Sequence, residues 1–379
     1  MKNFLKKAIS VSCAAVMTLT ALSGCSKEAA ENGKTDTFKI GGIGPVTGSA
    51  ASYGISVKQG AEIAIDEINA AGGVNGMKFE LYFEDDEADG EKGITAYNKL
   101  VDKKINALLG CVTSGSCIAV VEESSKDNIL QITPSGSAQD CTKYSNAFRI
   151  CFTDPLQGIT MSKYIAEKGY KNVAVIYDIA DEYSKGIRDA FVEAAKENNI
   201  TIVADESFTS GDVDFKTQLT KIKSSNADCI FLPIYYAEVA YISEQAKTVG
   251  LTLPYFGCDG WDGVIKQLDG NTANIEGAIF LTPFVATSEE ENVKKFVEAY
   301  KAKYNAVPDQ FAADAYDGIY AMKAAIEAAN GDISNEALIA AMTKIEVDGI
   351  TGKMTFTADG EPNKSAKVAV IQNGQYVAK

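Results

Sequence analysis

The sequence predicts an α/β protein built as two lobes, each a parallel sheet covered by helices. Three observations carry this. Short apolar runs alternate with amphipathic helical stretches almost throughout. The alternation runs twice, once before Phe152 and again after it. About 355 residues follow the N-terminal leader, more than one simple core holds.

The first series opens with a β run at 38–43, then a Gly/Ser/Ala loop and a helix over 53–71. In that helix Val57, Ala61, Ala64, Ile65 and Ile68 share one face at 3,4 spacing, and Gly72-Gly73 stops it. A strand at 78–83, a helix at 91–103, a strand at 105–109, a helix at 116–125 and a strand at 129–132 follow. That order implies a parallel sheet with helices on both faces. The second series places strands at 173–177, 200–204, 229–232 and 255–257, with helices near 156–168, 183–198, 213–224 and 236–249. After Leu281-Thr282-Pro283 the pattern turns helical through 288–304, 310–329 and 334–343, and closes with short strands near 353–357 and 366–372. A helical block after the second sheet predicts that the chain returns to the first lobe.

The N-terminus reads as an address. Lys2, Lys6 and Lys7 precede an apolar run over 8–21 that is too short and too polar for a spanning helix, so 1–24 is expected to be a signal peptide. Leu22-Ser23-Gly24-Cys25 resembles a bacterial lipobox, which implies acylation of Cys25 and a lipid bilayer as a partner; the alternative is an ordinary signal ending at Cys25. The polar stretch 25–37 reads as a tether. No cofactor is expected.

Without residues 1–24 the chain carries 33 basic and 51 acidic residues, which disfavours nucleic acid as a partner. Histidine is absent, which removes Ser-His-Asp and Cys-His catalysis and imidazole metal sites. Cys111, Cys117, Cys141, Cys151, Cys229 and Cys258 include no CxxC pair, so metal and redox-motif readings are weak, while free thiols and bridges both stay open. Gly42-x-Gly44 with Gly48 has the wrong spacing for a dinucleotide loop, and Pro45 withdraws an N–H. The acidic run 84–89 lacks EF-hand spacing and reads as a solvated loop.

Two stretches are specific: Gly42-Ile43-Gly44-Pro45-Val46-Thr47-Gly48 running on to Ser52-Tyr53-Gly54, and Gly60 to Gly76. With Asp85-Asp86, Ile132-Thr133-Pro134-Ser135, Phe148-Arg149 and Ala312 to Gly318, the chain closely resembles the leucine/isoleucine/valine-binding proteins, solute receptors of branched-chain amino-acid ABC importers. The resemblance implies a type I periplasmic binding protein fold, two Rossmann-like lobes joined by a three-strand hinge. Hinges are expected near 152–154, 281–283 and 355–362. Lobe one is then 38–152 with 283–355, and lobe two 154–281 with 362–379.

In open α/β sheets, ligands gather at the carboxyl ends of strands. There the residues themselves offer two hydroxyl-rich loops, Thr113-Ser114-Gly115-Ser116 and Thr133-Pro134-Ser135-Gly136-Ser137, the first opening a helix suited to a carboxylate. Helix capping by Ser114 and Ser116 is the alternative. The resemblance implies ligand contacts from the Ser114 side chain and backbone, the Ser135 carbonyl and the Ser137 hydroxyl. It implies Asp259 as the acid that holds an ammonium, one methylene shorter than the glutamate often found there. Tyr183 and Tyr235 match aromatic positions brought over the ligand by lobe two, and Tyr53 and Phe311 match positions shaping a side-chain pocket. Trp261 is either cleft-lining or a surface plug of lobe two. The expected function is a non-catalytic, monomeric receptor that captures a branched-chain amino acid and passes it to ABC permease subunits. A sensory receptor for amides, urea or another amino acid is the alternative. A carboxylate-dependent hydrolase is more remote, because Asp259 has no evident partner on a lobe-one strand.

Overall fold

A computed structural model describes residues 37–379, so the expected signal peptide and Cys25 lie outside the described residues. Thr37, assigned above to the tether, is already the first residue of a strand. The first series forms β1 (Thr37–Gly44), α1 (Ala51–Ala70), β2 (Lys78–Asp85), α2 (Gly90–Asp102), β3 (Ala107–Leu109), α3 (Ser114–Lys126), β4 (Leu130–Thr133) and β5 (Ala147–Arg149). Its five strands are parallel, in the order β2-β1-β3-β4-β5. β3 and β4 are buried along their whole length, as apolar central strands under helices on both faces must be. The sequence-derived face of α1 is the one that packs: Val57, Ala61 and Ala64 are fully buried. Each fully buried aliphatic side chain of valine size or larger contributes about 1.5–3 kcal/mol.

The second series forms α4 (Asp154–Glu167), β6 (Asn172–Asp178), α5 (Glu182–Glu197), β7 (Thr201–Phe208), α6 (Lys216–Lys223), β8 (Cys229–Leu232), α7 (Tyr236–Val249), β9 (Tyr255–Gly257), α8 (Val264–Gln267) and β10 (Ile279–Thr282). α9 (Glu291–Tyr304), α10 (Gln310–Ala328), α11 (Asn335–Met342) and the strands β11 (Glu346–Gly349), β12 (Gly352–Thr355), β13 (Lys367–Gln372) and β14 (Gln375–Ala378) complete the chain. The second sheet runs β14-β13-β10-β9-β8-β6-β7, with β13 and β14 added antiparallel at one edge.

The helical block does return to the first lobe. α10 packs along α1, and the approach is so close that a Cβ at Gly60 would lie 1.9 Å from the Ala312 carbonyl oxygen. The chain therefore passes between the sheets three times: after β5, after β10 and between β12 and β13. Buried ions fix the third passage. Lys364 Nζ donates to Asp314 Oδ1 at 2.9 Å, to Thr351 Oγ1 at 2.7 Å and to the Ile150 carbonyl at 2.8 Å.

One expectation needs correction, and one open alternative is decided. The acidic run is not a solvated loop throughout: Asp86 is fully buried, because it accepts from Ser116 Oγ at 2.6 Å and from the Ala88 N–H at 3.0 Å. Asp89 caps α2 by accepting from the Lys92 N–H. The six cysteines from Cys111 to Cys258 are all free and buried.

Candidate ligand-binding site

Most of the expected site residues sit at a helix start or just after a strand of one sheet or the other. Ser114 opens α3, Tyr183 lies in the first turn of α5, Tyr235 immediately precedes α7, and Phe311 lies in the first turn of α10. Asp259 opens a short 3₁₀ turn, Asp259–Trp261, after β9. Helix starts carry unpaired N–H groups and a partial positive charge, so they favour anionic groups.

The two lobes touch here. The Tyr53 hydroxyl donates to the Gly260 carbonyl at 2.5 Å and accepts from the Tyr236 N–H at 3.3 Å. The Gln310 N–H donates to Asp262 Oδ2 at 3.0 Å, and Gln310 Nε2 donates to the Asp259 carbonyl. The Asp154 N–H donates to the Ser137 carbonyl at 3.0 Å. Rings continue the contact: Phe311 lies 4.1 Å from Tyr53 between centroids, Tyr235 meets Tyr53 edge-on at 5.4 Å, and Tyr183 stacks on Tyr235 at 4.8 Å. Tyr53 and Phe311 thus form one aromatic wall.

Asp259 is 4 % exposed and its Oδ1 accepts from the Tyr183 hydroxyl at 2.7 Å. Gly260 N–H donates to that same hydroxyl at 2.9 Å, which fixes the tyrosine as a relay. Burial pushes the Asp259 carboxyl up to about 6, with the Tyr183 and Gln157 side chains offsetting part of the effect. A carboxylate this deep without a cation is stabilised by any positive group that arrives.

The hydroxyl loops belong to the first lobe and meet the second where the Asp154 N–H reaches the Ser137 carbonyl. Ser114 Oγ accepts from the Ala138 N–H at 3.2 Å, and Ser135 Oγ donates to the Val112 carbonyl at 2.7 Å, so these two side chains brace the loops against each other. The residue immediately before α3 is Thr113; neither Ser114 nor Ser116 caps that helix by its side chain, and Ser116 is spent on Asp86. The Ser137 and Thr113 hydroxyls are buried without a hydrogen-bond partner. Arg149, fully buried, anchors the second loop from beneath by donating to the Gly136 carbonyl at 2.8 Å, Thr142 Oγ1 at 2.9 Å and Glu361 Oε1 at 3.0 Å.

The sequence reading missed Asp154 and Gln157. Both are buried on the first turn of α4; the two Asp154 carboxylate oxygens and Gln157 Nε2 have no partner, while Gln157 Oε1 accepts from the Asp259 N–H at 3.0 Å. Trp261 is not a surface plug: it is fully buried in the core of the second lobe, its Nε1 donates to the Leu232 carbonyl at 2.9 Å, and a Cβ at Gly257 would fall 2.2 Å from its ring. A cavity of about 820 Å³, lined among others by Ser56, Asp262, Tyr300 and Asp309, includes none of the expected site residues. Of the unpaired buried polar atoms, a cost that native cores avoid, those of Thr113, Ser137, Asp154 and Gln157 fall among the candidate site residues, while Asp262 Oδ1 belongs to a residue lining the cavity.

Two parallel-sheet lobes closed over a buried cluster of unpaired polar groups define a solute-binding protein. The chain belongs to the periplasmic binding protein family, whose family model matches residues 37–375. It is 34% identical to the Leu/Ile/Val-binding protein homolog 3 of Brucella melitensis, over 85% of this chain and 88% of that one. It is also 34% identical to the Leu/Ile/Val-binding protein BraC3 of Rhizobium johnstonii, over 95% and 98%. Among solved structures it is similar to the branched-chain amino acid transporter substrate-binding protein LivJ of Streptococcus pneumoniae in complex with isoleucine, with 34% identity, a TM-score of 0.83, and 90% and 100% of the two chains covered. The leucine-binding protein LivK of Thermotoga maritima gives 30% identity and a TM-score of 0.84, covering 90% of this chain and 97% of that one. Each of these relatives is named for binding amino acids, LivJ as the substrate-binding protein of a transporter, and the family indicates an exported protein. No helix among the described residues is long and apolar enough to cross a membrane.

Proposed function

We propose that this protein is an extracytoplasmic, lipid-anchored receptor that captures a branched-chain amino acid between its lobes and delivers it to an ABC permease. The observation that carries the reading is Asp259: a carboxylate buried without a cation and tied to Tyr183, in a site whose first-lobe loops carry the unpaired hydroxyls of Thr113, just before α3, and Ser137. An ammonium for the acid and a carboxylate for the hydroxyls and helix start are the two ends of one α-amino acid. The aromatic wall of Tyr53 and Phe311 suits an aliphatic side chain. Ligand would bind one lobe of the open form, and closure would follow because only the closed form contacts it from both sides. The permease would read that closed form, with acylated Cys25 holding a monomer at the membrane.

A thermal-shift screen of the twenty amino acids, short amides and urea tests the reading. A ligand at 100-fold its dissociation constant stabilises by about 2.7 kcal/mol. Stabilisation by leucine, isoleucine or valine supports it; stabilisation by amides or urea alone replaces it with a sensor for those compounds.

A further inference from the structure

The cavity of about 820 Å³ that holds none of the expected site residues takes its walls from both lobes. Ile55 on α1, Phe284 after β10 and Tyr300 on α9 come from the first; Asp262, Ile265 and Tyr376 come from the second. Phe284 and Tyr300 are buried, and the volume lies within the range of small-molecule sites, roughly 300–1,000 Å³. Because the walls belong to both lobes, the chamber exists only while the lobes are closed.

Asp262, in its wall, is 3 % exposed. Its Oδ2 accepts from the Gln310 N–H at 3.0 Å across the lobe boundary, and its Oδ1 has no hydrogen-bond partner. A buried acid with a bare oxygen is costly until a donor arrives. Asp309, half-buried in the same wall, spends both oxygens, Oδ1 on the Ala312 N–H at 3.0 Å and Oδ2 on Ser56 Oγ at 2.5 Å. Lys266 and Lys301 also line the cavity, but both are exposed and neither pairs with Asp262. Burial, with Asp309 adding to it, pushes the Asp262 carboxyl well up, and the Gln310 and Gly263 N–H groups offset part of this.

The chemistry of the lining selects an occupant. An anion would meet three acids, Asp262, Asp269 and Asp309. Those acids do not converge on one point: among the described residues no group of three or more His, Cys, Asp or Glu could hold a metal ion. An ammonium donates to the bare oxygen, opposes its charge and tolerates the rings of Tyr300 and Tyr376 beside it. Ile55, Ile265 and Phe284 then call for an apolar body behind that ammonium.

We propose that this cavity is a second ligand site, for an organic primary amine with an apolar body, whose ammonium meets Asp262. Since both sites need the closed lobes, the amine and the amino acid each raise the affinity of the other by the same factor. Only this coupling rests on the amino-acid reading; the cavity and its acid do not.

The test is calorimetry at pH 7.5 with 2-phenylethylamine and its anionic isostere 3-phenylpropanoate, on protein saturated with leucine so that Asp259 is occupied. The amine is expected to bind with a dissociation constant below about 1 mM and the acid to give no heat. Asp262→Asn keeps an acceptor for the Gln310 N–H; it should bind the amine at least about tenfold more weakly and still bind leucine. Saturating amine should tighten leucine binding about fivefold or more in wild type. No heat from the amine, equal binding of amine and acid, displacement of the amine by leucine, or amine affinity within twofold of wild type in Asp262→Asn each overturns the site. Unchanged leucine affinity overturns its dependence on closure. If the variant does not fold, the contrast between amine and acid in leucine-saturated wild type decides. If leucine gives no heat, the amino-acid reading fails, and the amine is titrated into ligand-free Asp262→Asn and Asp259→Asn. Loss of amine binding in the first alone supports the second site, and loss in the second alone overturns it.

Discussion

The Tyr53 hydroxyl of the first lobe donates to the Gly260 carbonyl of the second at 2.5 Å, one residue beyond the acid expected to hold the ligand. The same oxygen accepts from the Tyr236 N–H, so one side chain satisfies two backbone groups across the cleft. Tyr53→Phe keeps the ring against Phe311 but strands both groups in the closed form. Closure should lose about 1–3 kcal/mol, so the dissociation constant should rise roughly 5- to 150-fold. The isolated lobes should be unaffected, because the bonds exist only between them. Titration calorimetry checks this, and a change below twofold would mean that closure does not use the contact.

Lys364 and Asp314 are 3% and 2% exposed in their side chains, and the pair joins the third passage between lobes to α10. Burial pushes Asp314 up to about 7, with Lys364 offsetting only part, so desolvation is the larger effect. Lys364→Met leaves Asp314 without its cation and removes the donor to Thr351 and to the Ile150 carbonyl. Asp314 then takes up a proton instead of staying charged, which places the loss near the low end of the range for broken buried pairs, about 3 kcal/mol. Urea denaturation reads this directly. A loss under 1 kcal/mol would show that the pair is dispensable.

Acid should stabilise the ligand-free protein before it destabilises it. Burial raises Asp259 to about 6, and raises Asp181 and Glu238 to about 7. The last two are only half-buried, while Asp314, at about 7 and 2% exposed in its side chain, adds to Asp259, and burial raises Asp154 and Asp262 as well. The ordinary value for such an acid is 3.8. Between there and 6 the folded chain binds more protons than the unfolded one, so stability falls as pH rises through that window. Asp259 alone should contribute about 1.4 kcal/mol of stability on going from pH 8 to pH 5. Below about pH 4 the trend reverses, as acids held low in the folded state, such as Glu84 and Asp228, lose their partners. Melting temperatures from pH 4 to 8 test this, and Asp259→Asn should flatten part of the rise, the share that falls below about pH 6. A flat or falling profile in wild type on acidification would contradict it.

How far the sequence exposed this site depended on where the deciding partner lies. Asp259, Tyr183 and Tyr235 stand at strand ends, and strand ends are visible in apolar periodicity alone. The return of 310–329 to the first lobe was legible in the helical block, although the Gly60–Ala312 contact that seals it is tertiary. Asp154 was hidden because periodicity starts α4 near 156, so the acid fell in an expected hinge. Yet Thr153-Asp154-Pro155 is a capped helix start with proline in its first turn, a local signal that places Asp154 on the helix. Trp261 and Asp86 had no such signal, since the Leu232 carbonyl and the Ser116 hydroxyl come from other strands and helices.

Cys25 lies outside the described residues, but its position after Leu22-Ser23-Gly24 makes a separable prediction. Cys25→Ser should abolish acyl labelling and release the protein from the membrane fraction. Folding and ligand binding should not change, because the fold begins at Thr37. Unchanged acyl labelling and membrane retention would remove the lipid anchor from the proposal.

Ligand choice is the sharpest test of the site. The hydroxyl loops and the start of α3 suit a carboxylate, Asp259 suits an ammonium, and the Tyr53–Phe311 wall is apolar. Leucine, isoleucine or valine should bind best, at micromolar affinity or tighter, roughly −8 kcal/mol or beyond. Alanine lacks most of the methyl groups to be buried, and each buried CH₂ contributes about 0.8 kcal/mol, so it should bind at least about tenfold weaker. Glutamate would bring a second carboxylate into a site already holding two acids. Arg149, the guanidinium nearby, is committed to Gly136, Gln139, Thr142 and Glu361 and cannot turn to meet it. That carboxylate would be buried unpaired, so glutamate should give no measurable heat. Calorimetry against leucine, valine, alanine and glutamate decides the matter. Tight binding of glutamate, or alanine equal to leucine, would mean that the wall of Tyr53 and Phe311 does not face the ligand side chain.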